Sequence, residues 1–360
     1  MIKAENCDSS SPTCIAFRNP RRLFVKRRKK NMKAVRFHKT GGPEVLIYED
    51  VPDPTPKDGE VLIRVEAAGI NFADVMRRRG DNYPEPSPPP FILGVEVAGT
   101  IAAVGKGVTS LAVGTPVLAT PGAGGYAQYI CVPAAIVVPL PPGVGAVQAA
   151  AVVAHGLTAA LALRNAARLA QGETVLIEAA AGGVGSFAVQ LAKLYGAGKV
   201  IAAASTPEKR AIAERLGADA SVDYTAPDWA GKVRELTNGR GVDVVLETAG
   251  GETVAQALDA MAPFGRMIFL GQSSGKTALI DPWQLTVPNH TVSSFYIGAY
   301  LAFPDLIQST LGEILGFIMT GKLSLQVGTV LPLSQAAEAH RLLEGRKTTG
   351  KVVLQPWADA

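Results

Sequence analysis

Between Glu173 and Gly271 the chain alternates short apolar runs with amphipathic ones, and this alternation constrains the fold more than any other feature of the sequence. "ETVLIEAA", "KVIAAA", "DASVDY", "VDVVLETAG" and "RMIFLG" read as strands. Between them "GVGSFAVQLAKLYG", "TPEKRAIAERLG", "DWAGKVRELTNG" and "ETVAQALDAMAPFG" read as helices. Thr206 is placed as an N-cap, with Pro207 at the first helical position and glycine closing the third helix. Short junctions between strands and helices require parallel strands with right-handed crossovers. The expected fold is therefore α/β, with a doubly wound parallel sheet.

The first strand–helix junction is glycine-rich, Ala180-x-Gly182-x-x-Gly185, an alanine standing at the first position of G-x-G-x-x-G. Alanine can make that turn if its φ stays negative. Gly182 lets backbone approach a pyrophosphate, Gly185 lets helix and strand pack closely, and the helix N-terminus offers free N–H groups. A lone glycine motif is weak, but here it follows a strand and opens a helix, as a dinucleotide site requires. Binders of NAD usually carry an acidic residue at the end of the second strand. This strand ends "AAAST": Ser205 and Thr206 are neutral, and Lys209 and Arg210 follow. The missing carboxylate and the nearby cations favour a 2′-phosphate, so NADPH is expected over NADH.

The first third reads differently. "KAVRF", "VLIRVEAAG", "VAGTIAAVG" and "TPVLA" are short strands bounded by Gly or Pro, and "YPEPSPPPF" (83–91) is a proline-rich loop. This spacing suggests a β-barrel-like domain. Between Lys106 and Arg164 there is no formal charge apart from whatever His155 carries. Prolines 116, 121, 133, 139, 141 and 142 break that run, so short buried strands are expected rather than a membrane span. Hydrophobic residues make up 48% and charged residues 18% of the 360, a globular composition with ample core. After about residue 293, "PDLIQSTLGEILGFIMTGKL" and "AAEAHRLLEGR" read as helices, and "GKVVLQP" as a last strand that returns to the first domain.

The net charge of +4 hides an asymmetry. Residues 1–31 hold nine Lys and Arg against Glu5 and Asp8, a net of +7 that leaves −3 for the rest. This segment lacks the apolar core of a secretory signal and is expected to be a disordered extension, with Met32 opening a natural first strand. A basic tail is the one part of the chain suited to nucleic acid, which is otherwise not expected as a partner. The three cysteines, Cys7, Cys14 and Cys131, form no C-x-x-C pair, which points to a reducing, cytoplasmic setting.

"GGPEVL", "AAGINFADV", "LGVEVAG", "GGYAQY", "GLTA", "AAAGGVG", "LGAD", "GVDVVLETAGG" and "GRMIFLGQSSG" occur in that order. From Met32 to the end the chain resembles the medium-chain dehydrogenase/reductase superfamily, and within it the zeta-crystallin-like NADPH:quinone oxidoreductases. It departs from the family's usual "GDRV" with "GTPV" (114–117) and from "YAEY" with "YAQY". The resemblance implies a GroES-like β-rich domain, 32–153 with 294–360, and a Rossmann NADPH-binding domain, 154–293, inserted into it. Zinc-dependent members of the superfamily have a Cys and a His where this chain has Asn71 and Val95. Valine cannot ligate and an amide oxygen is a poor zinc ligand, so no metal is expected. The four histidines are scattered at no ligand spacing and are expected to be surface or packing residues.

The same resemblance implies the site. Asn71 would lie near the nicotinamide, donating to a substrate carbonyl or anchoring the cofactor. Tyr83 would line the cleft as a candidate proton donor. Thr158, Ala181, Gly182, Gly183 and Val184 would contact the cofactor, Ser205, Lys209 and Tyr224 its 2′-phosphate, and Leu270, Gln272 and Ser273 the nicotinamide side. Asp74 and Glu96 are buried polar candidates with structural roles. Without a metal Lewis acid, the acceptor must already be electrophilic, a quinone or another conjugated carbonyl. The expected protein is a homodimeric, zinc-independent reductase. A 2-enoyl or 2-alkenal double-bond reductase on the same scaffold is the alternative. A nucleotide- or RNA-binding crystallin-like protein is the alternative from a different class.

Overall fold

A computed structural model describes residues 31–359. The basic segment of the sequence falls almost wholly outside them.

Six strands form one parallel sheet in the order Ala220–Val222, Lys199–Ala203, Thr174–Glu178, Val242–Glu247, Met261–Phe269, Thr291–Ser294. In chain order this is 3-2-1-4-5-6, the doubly wound arrangement. Helices cover both faces, so the central strands are buried on both sides. All six residues of Val242–Glu247 are buried. The third strand is only three residues long, shorter than "DASVDY" suggests, and Asp223 just beyond it pairs with Arg210. A sixth strand, Thr291–Ser294, extends the sheet and forms its edge. Thr206 Oγ1 caps the helix Pro207–Arg215 by accepting from the Lys209 backbone N–H at 3.3 Å.

The remaining strands form a seven-stranded sheet centred on Glu60–Ile70 and a three-stranded sheet around Asn31–Phe37. The last strand, Lys351–Gln355, pairs antiparallel with Glu60–Ile70 and parallel with Val327–Pro332, so the chain end closes this body. Helix Pro304–Met319 instead packs on helix Val153–Leu161, its Leu311 and Ile314 joining a core with Leu157, Phe187 and Val353. That core is continuous across the junction of the two bodies.

The uncharged run does contain an uninterrupted apolar helical stretch, contrary to expectation. Ala146–Ala166 has 21 residues and contains an 18-residue window with a mean hydropathy of 1.7. All the prolines of the run lie before it. Two-thirds of its apolar window is buried inside the protein, which makes it a core helix.

Inside the β-rich body, helix Phe72–Arg79 is tied to helix Ala336–Glu344 through a buried guanidinium. The Arg78 side chain is 0% exposed and donates to both Glu344 oxygens at 3.0 and 2.8 Å and to the Gly41 carbonyl at 3.1 Å. His340 lies beside it, its pKa lowered to about 3 by burial and then by the Arg78 charge. Its Nε2 meets the Tyr126 hydroxyl at 3.2 Å. Glu344→Ala would strand the Arg78 charge in the interior. A loss of about 3–5 kcal/mol in a denaturant titration is expected, and a loss below about 1 kcal/mol would show that this pair does not hold the helices together.

Candidate active site

The glycine loop begins where Thr174–Glu178 ends. The left-handed residue of the turn is Ala179, at φ 47°, one position before the alanine of the motif. Gly182 N–H donates to the Ala179 carbonyl at 2.7 Å, and Gly182 precedes helix Gly183–Leu194 without a capping side chain. The first-turn N–H groups therefore face the cleft uncapped, as an anion site requires. A Cβ on Gly185 would meet the Ala179 carbonyl oxygen at 2.3 Å, and one on Gly183 would meet the His155 ring at 1.9 Å. The cradle exists only with glycine at both positions.

A cleft with a cavity volume of about 420 Å³ runs along the carboxyl ends of the parallel strands, against the β-rich body. Every site residue expected from the sequence lines it. Ala181, Gly182, Gly183 and Val184 form the loop wall. Thr158 faces them, with Leu270, Gln272 and Ser273 beyond the fifth strand, and Asn71 and Tyr83 on the opposite side.

At one end Ser205, Lys209 and Tyr224 come together with Arg346, which the sequence reading missed. Lys209 Nζ donates to the Arg346 carbonyl at 2.5 Å. Burial, then the Arg346 charge, lowers the Lys209 pKa. Arg210 turns away, donating to the Ala204 carbonyl at 3.1 Å and pairing with Asp223 at 3.2 Å. No carboxylate at the end of the second strand faces this corner. The corner thus offers two cations, a hydroxyl and a phenol, a donor set that fits a phosphate monoester.

Asn71 stands in a buried network. Its Nδ2 donates to Glu96 Oε1 at 2.8 Å, and its Oδ1 accepts from Lys351 Nζ at 2.9 Å. Lys351 also pairs with Glu96, and Glu96 Oε2 accepts from the Ala154 backbone N–H at 2.9 Å. The amide is thereby fixed, with its oxygen and one N–H used inside the protein. Lys351 Nζ lies 3.3 Å from His155 Nε2. Burial and then the Lys351 charge push the His155 pKa well down, so the ring is neutral and accepts from the ammonium. His155 thus lines the cleft from within the network, whereas His38 is exposed at the surface and His340 is packed in the interior, as expected of surface or packing histidines. Asp74 is fully buried and accepts from the Asn71 and Gly94 backbone N–H groups at 2.9 and 3.1 Å. Burial outweighs those bonds and raises it to about 6. Burial likewise pushes the Tyr83 phenol up to about 12, so it holds its proton through neutral pH.

Valine has no donor atom and an amide oxygen is a poor zinc ligand, so neither Val95 nor Asn71 is a competent zinc donor. Among the described residues, no group of three or more His, Cys, Asp or Glu is placed to hold a metal ion.

Beneath the loop lies a carboxyl pair that no sequence signal revealed. Glu178 Oε2 accepts from the Thr248 and Ala249 N–H groups at 3.1 and 3.3 Å. Glu247 Oε1 accepts from Ala249 and Gly250 at 2.9 and 2.5 Å. The remaining oxygens, Glu178 Oε1 and Glu247 Oε2, are buried without another partner. Burial first, and then the facing carboxylate, raise Glu178 well above the carboxylate range, and burial raises Glu247. Both shifts favour a proton held between the two carboxyls. A folded-state pKa above the unfolded value gives stability that is complete below the unfolded carboxyl pKa and is lost as pH rises through the folded one. Glu178→Gln replaces the shared proton with a permanent donor. Its melting temperature should fall less between about pH 5 and pH 9 than that of the parent, whose loss reaches about 1.4 kcal/mol per pH unit in the titrating window. Parallel pH curves for the two proteins would refute the shared proton.

Two family models match the chain, an alcohol dehydrogenase GroES-like domain over residues 57–142 and a zinc-binding dehydrogenase over 183–311. The chain is 38% identical to a quinone oxidoreductase of Pseudomonas aeruginosa over 326 residues, covering 90% of this chain and 99% of that one. It is 34% identical to a 2-haloacrylate reductase of a Burkholderia species, covering 89% and 98%. Among solved structures, an Escherichia coli quinone oxidoreductase complexed with NADPH superposes with a TM-score of 0.85 at 33% identity, covering 90% and 100%. The chain therefore belongs to the medium-chain dehydrogenase/reductase superfamily, in its zeta-crystallin-like quinone oxidoreductase branch.

Proposed function

We propose that this protein is an NADPH-dependent reductase of quinones and related conjugated carbonyls. The observation that carries the reading is the cleft's division into two ends. A basic corner suited to a 2′-phosphate lies at one end and an apolar chamber beside Asn71 at the other, with the uncapped glycine loop between them. When bound, NADPH supplies a hydride, which a quinone or enone accepts without Lewis-acid help. The chain's own residues bind and orient. Lys209, Arg346, Ser205 and Tyr224 hold the phosphate. The loop N–H groups at 183–185 hold the pyrophosphate. Asn71, clamped by Lys351 and Glu96, keeps one amide N–H for the nicotinamide or the acceptor carbonyl. The apolar walls exclude water and align the two rings.

The likeness to a 2-haloacrylate reductase favours a second reading, reduction of an activated double bond on the same scaffold. Oxidation of NADPH with 1,4-benzoquinone, 9,10-phenanthrenequinone and a 2-enoyl thioester separates the two. Turnover of the quinones alone is the expected result.

We also divide the chain into a β-rich unit, built from its beginning and end, and a nucleotide-binding unit between them, in a cytoplasmic homodimer. The edge strand Thr291–Ser294 is flanked by Phe264, Trp283 and Val287, which are 72, 78 and 90% exposed, an apolar surface that supports pairing with a second copy. Light scattering should give twice the chain mass, and a monomer mass at micromolar concentration would refute the dimer. For the cofactor, kcat/KM with NADPH should exceed that with NADH by more than about tenfold, and Lys209→Ala or Arg346→Ala should each remove about tenfold of that preference. A parent enzyme that prefers NADH would refute the phosphate corner.

A further inference from the structure

The chamber beside Asn71 has walls of Ile70, Phe72, Met76, Val95, Leu157 and Phe295, and one ionised side chain, Glu85, at its mouth. The two cations among the described lining residues, Lys209 and Arg346, both sit in the phosphate corner at the other end. Glu178 lies beneath the glycine loop. Arg77, whose guanidinium lies over the Tyr83 ring, does not line the cleft. Its guanidinium lies 4.8 Å over the Phe91 ring and 5.9 Å over Tyr83, with NH1 on the Gly122 carbonyl at 2.7 Å and Nε on Ser87 Oγ at 2.6 Å.

Glu85 is held where it stands. Pro84 and Pro86 flank it and fix the backbone on both sides. The Tyr296 hydroxyl donates to its carboxylate across the cleft, joining the proline-rich loop of the β-rich body to the segment that follows the sixth parallel strand. The ring of Tyr83 stands edge-on to Tyr296, centroids 6.3 Å apart. The mouth is thus a carboxylate framed by two tyrosines, leading into an apolar chamber with no cation among its described lining residues, the Lys351 ammonium behind Asn71 being buried and paired with Glu96.

From this geometry we infer that Glu85 makes the site select uncharged acceptors and reject anionic ones. The inference rests on the reductase reading above and narrows its substrate class. A carboxylate- or sulfonate-bearing acceptor meets repulsion from Glu85 at the mouth, and then gives up its hydration in a chamber that offers no counter-charge. A neutral quinone or enone meets neither cost. Discrimination here comes from a repulsive element in the site and needs no attractive contact to the preferred acceptor. The 2-haloacrylate type of acceptor, an anion at neutral pH, falls on the rejected side.

The test is a matched pair, 1,2-naphthoquinone and its 4-sulfonate, with NADPH held saturating. The parent enzyme is expected to favour the neutral quinone by more than about tenfold in kcat/KM. Glu85→Gln, which keeps a partner for Tyr296, should raise the sulfonate-to-neutral ratio by about tenfold, and Glu85→Lys should raise it further. Raising salt from about 20 mM to about 0.5 M should narrow the parent's ratio and leave that of Glu85→Gln nearly unchanged. A parent ratio within about threefold, or a ratio unmoved by Glu85→Gln, overturns this inference and leaves the reductase reading standing. If neither quinone supports oxidation of NADPH, the reductase reading fails and this inference with it.

Discussion

A lysine ammonium sealed in the interior sets the terms for the rest of the structure. Lys351, 1% exposed, lies in the last strand of the chain, where burial opposes its charge and Glu96 sustains it. A buried ion pair persists only if its remaining donors and acceptors are also met. Meeting them draws in Asn71 at the end of Glu60–Ile70, Glu96 at the start of the neighbouring strand, and Ala154 and His155 at the first helix of the second body. One residue earlier, the Gly350 N–H donates to the Ala181 carbonyl at 2.8 Å, so the same strand holds the glycine loop. A single electrostatic requirement thus fixes the chain end, the β-rich sheet and the cofactor loop at one point, the floor of the cleft.

The cleft that results is electrically ordered along its length. Cations gather at one end, a proton-sharing carboxyl pair supports the turn under the loop, and apolar walls guarded by a carboxylate close the other end. Each region is built from elements far apart in sequence. Lys209 and Arg346 are joined across 137 positions, and Tyr296 and Glu85 across 211. The fold's contribution to chemistry is to hold these groups in sequence along one channel at the carboxyl ends of the strands, where a doubly wound sheet places its ligands.

Local signals were legible in the sequence wherever neighbouring residues carry the physics. Strand–helix alternation, the Thr206 cap and the need for glycine at position 185 depend on residues a few positions apart, and the structure has all of them, whereas the need for glycine at 183 comes from the His155 ring 28 positions away. The turn strain fell one residue earlier than the motif suggests, on Ala179, because only the three-dimensional path decides which residue takes the positive φ. The apolar stretch Ala146–Ala166 was missed for a related reason. The prolines before it signal turns, and its burial against Phe187, Ile314 and Val353 is a tertiary fact. Arg346 and Lys351 sit in an ordinary-looking basic stretch, "GRKTTGK", with nothing nearby to mark one for a phosphate corner and the other for the interior.

The sequence by itself determined that a nucleotide loop opens a parallel sheet and that no carboxylate opposes a 2′-phosphate there. Each of these follows from residue identity and short spacing. Only the tertiary structure decided which charges meet. It sent Arg210 to Asp223 and brought Arg346 in beside Lys209, buried Lys351 against Asn71, paired Glu178 with Glu247, and set Glu85 under Tyr296 at the mouth. The reason is one of range. Backbone preference acts over a few residues and is written in their order, whereas the electrostatics of a cleft depend on distances that exist only once the chain has closed on itself.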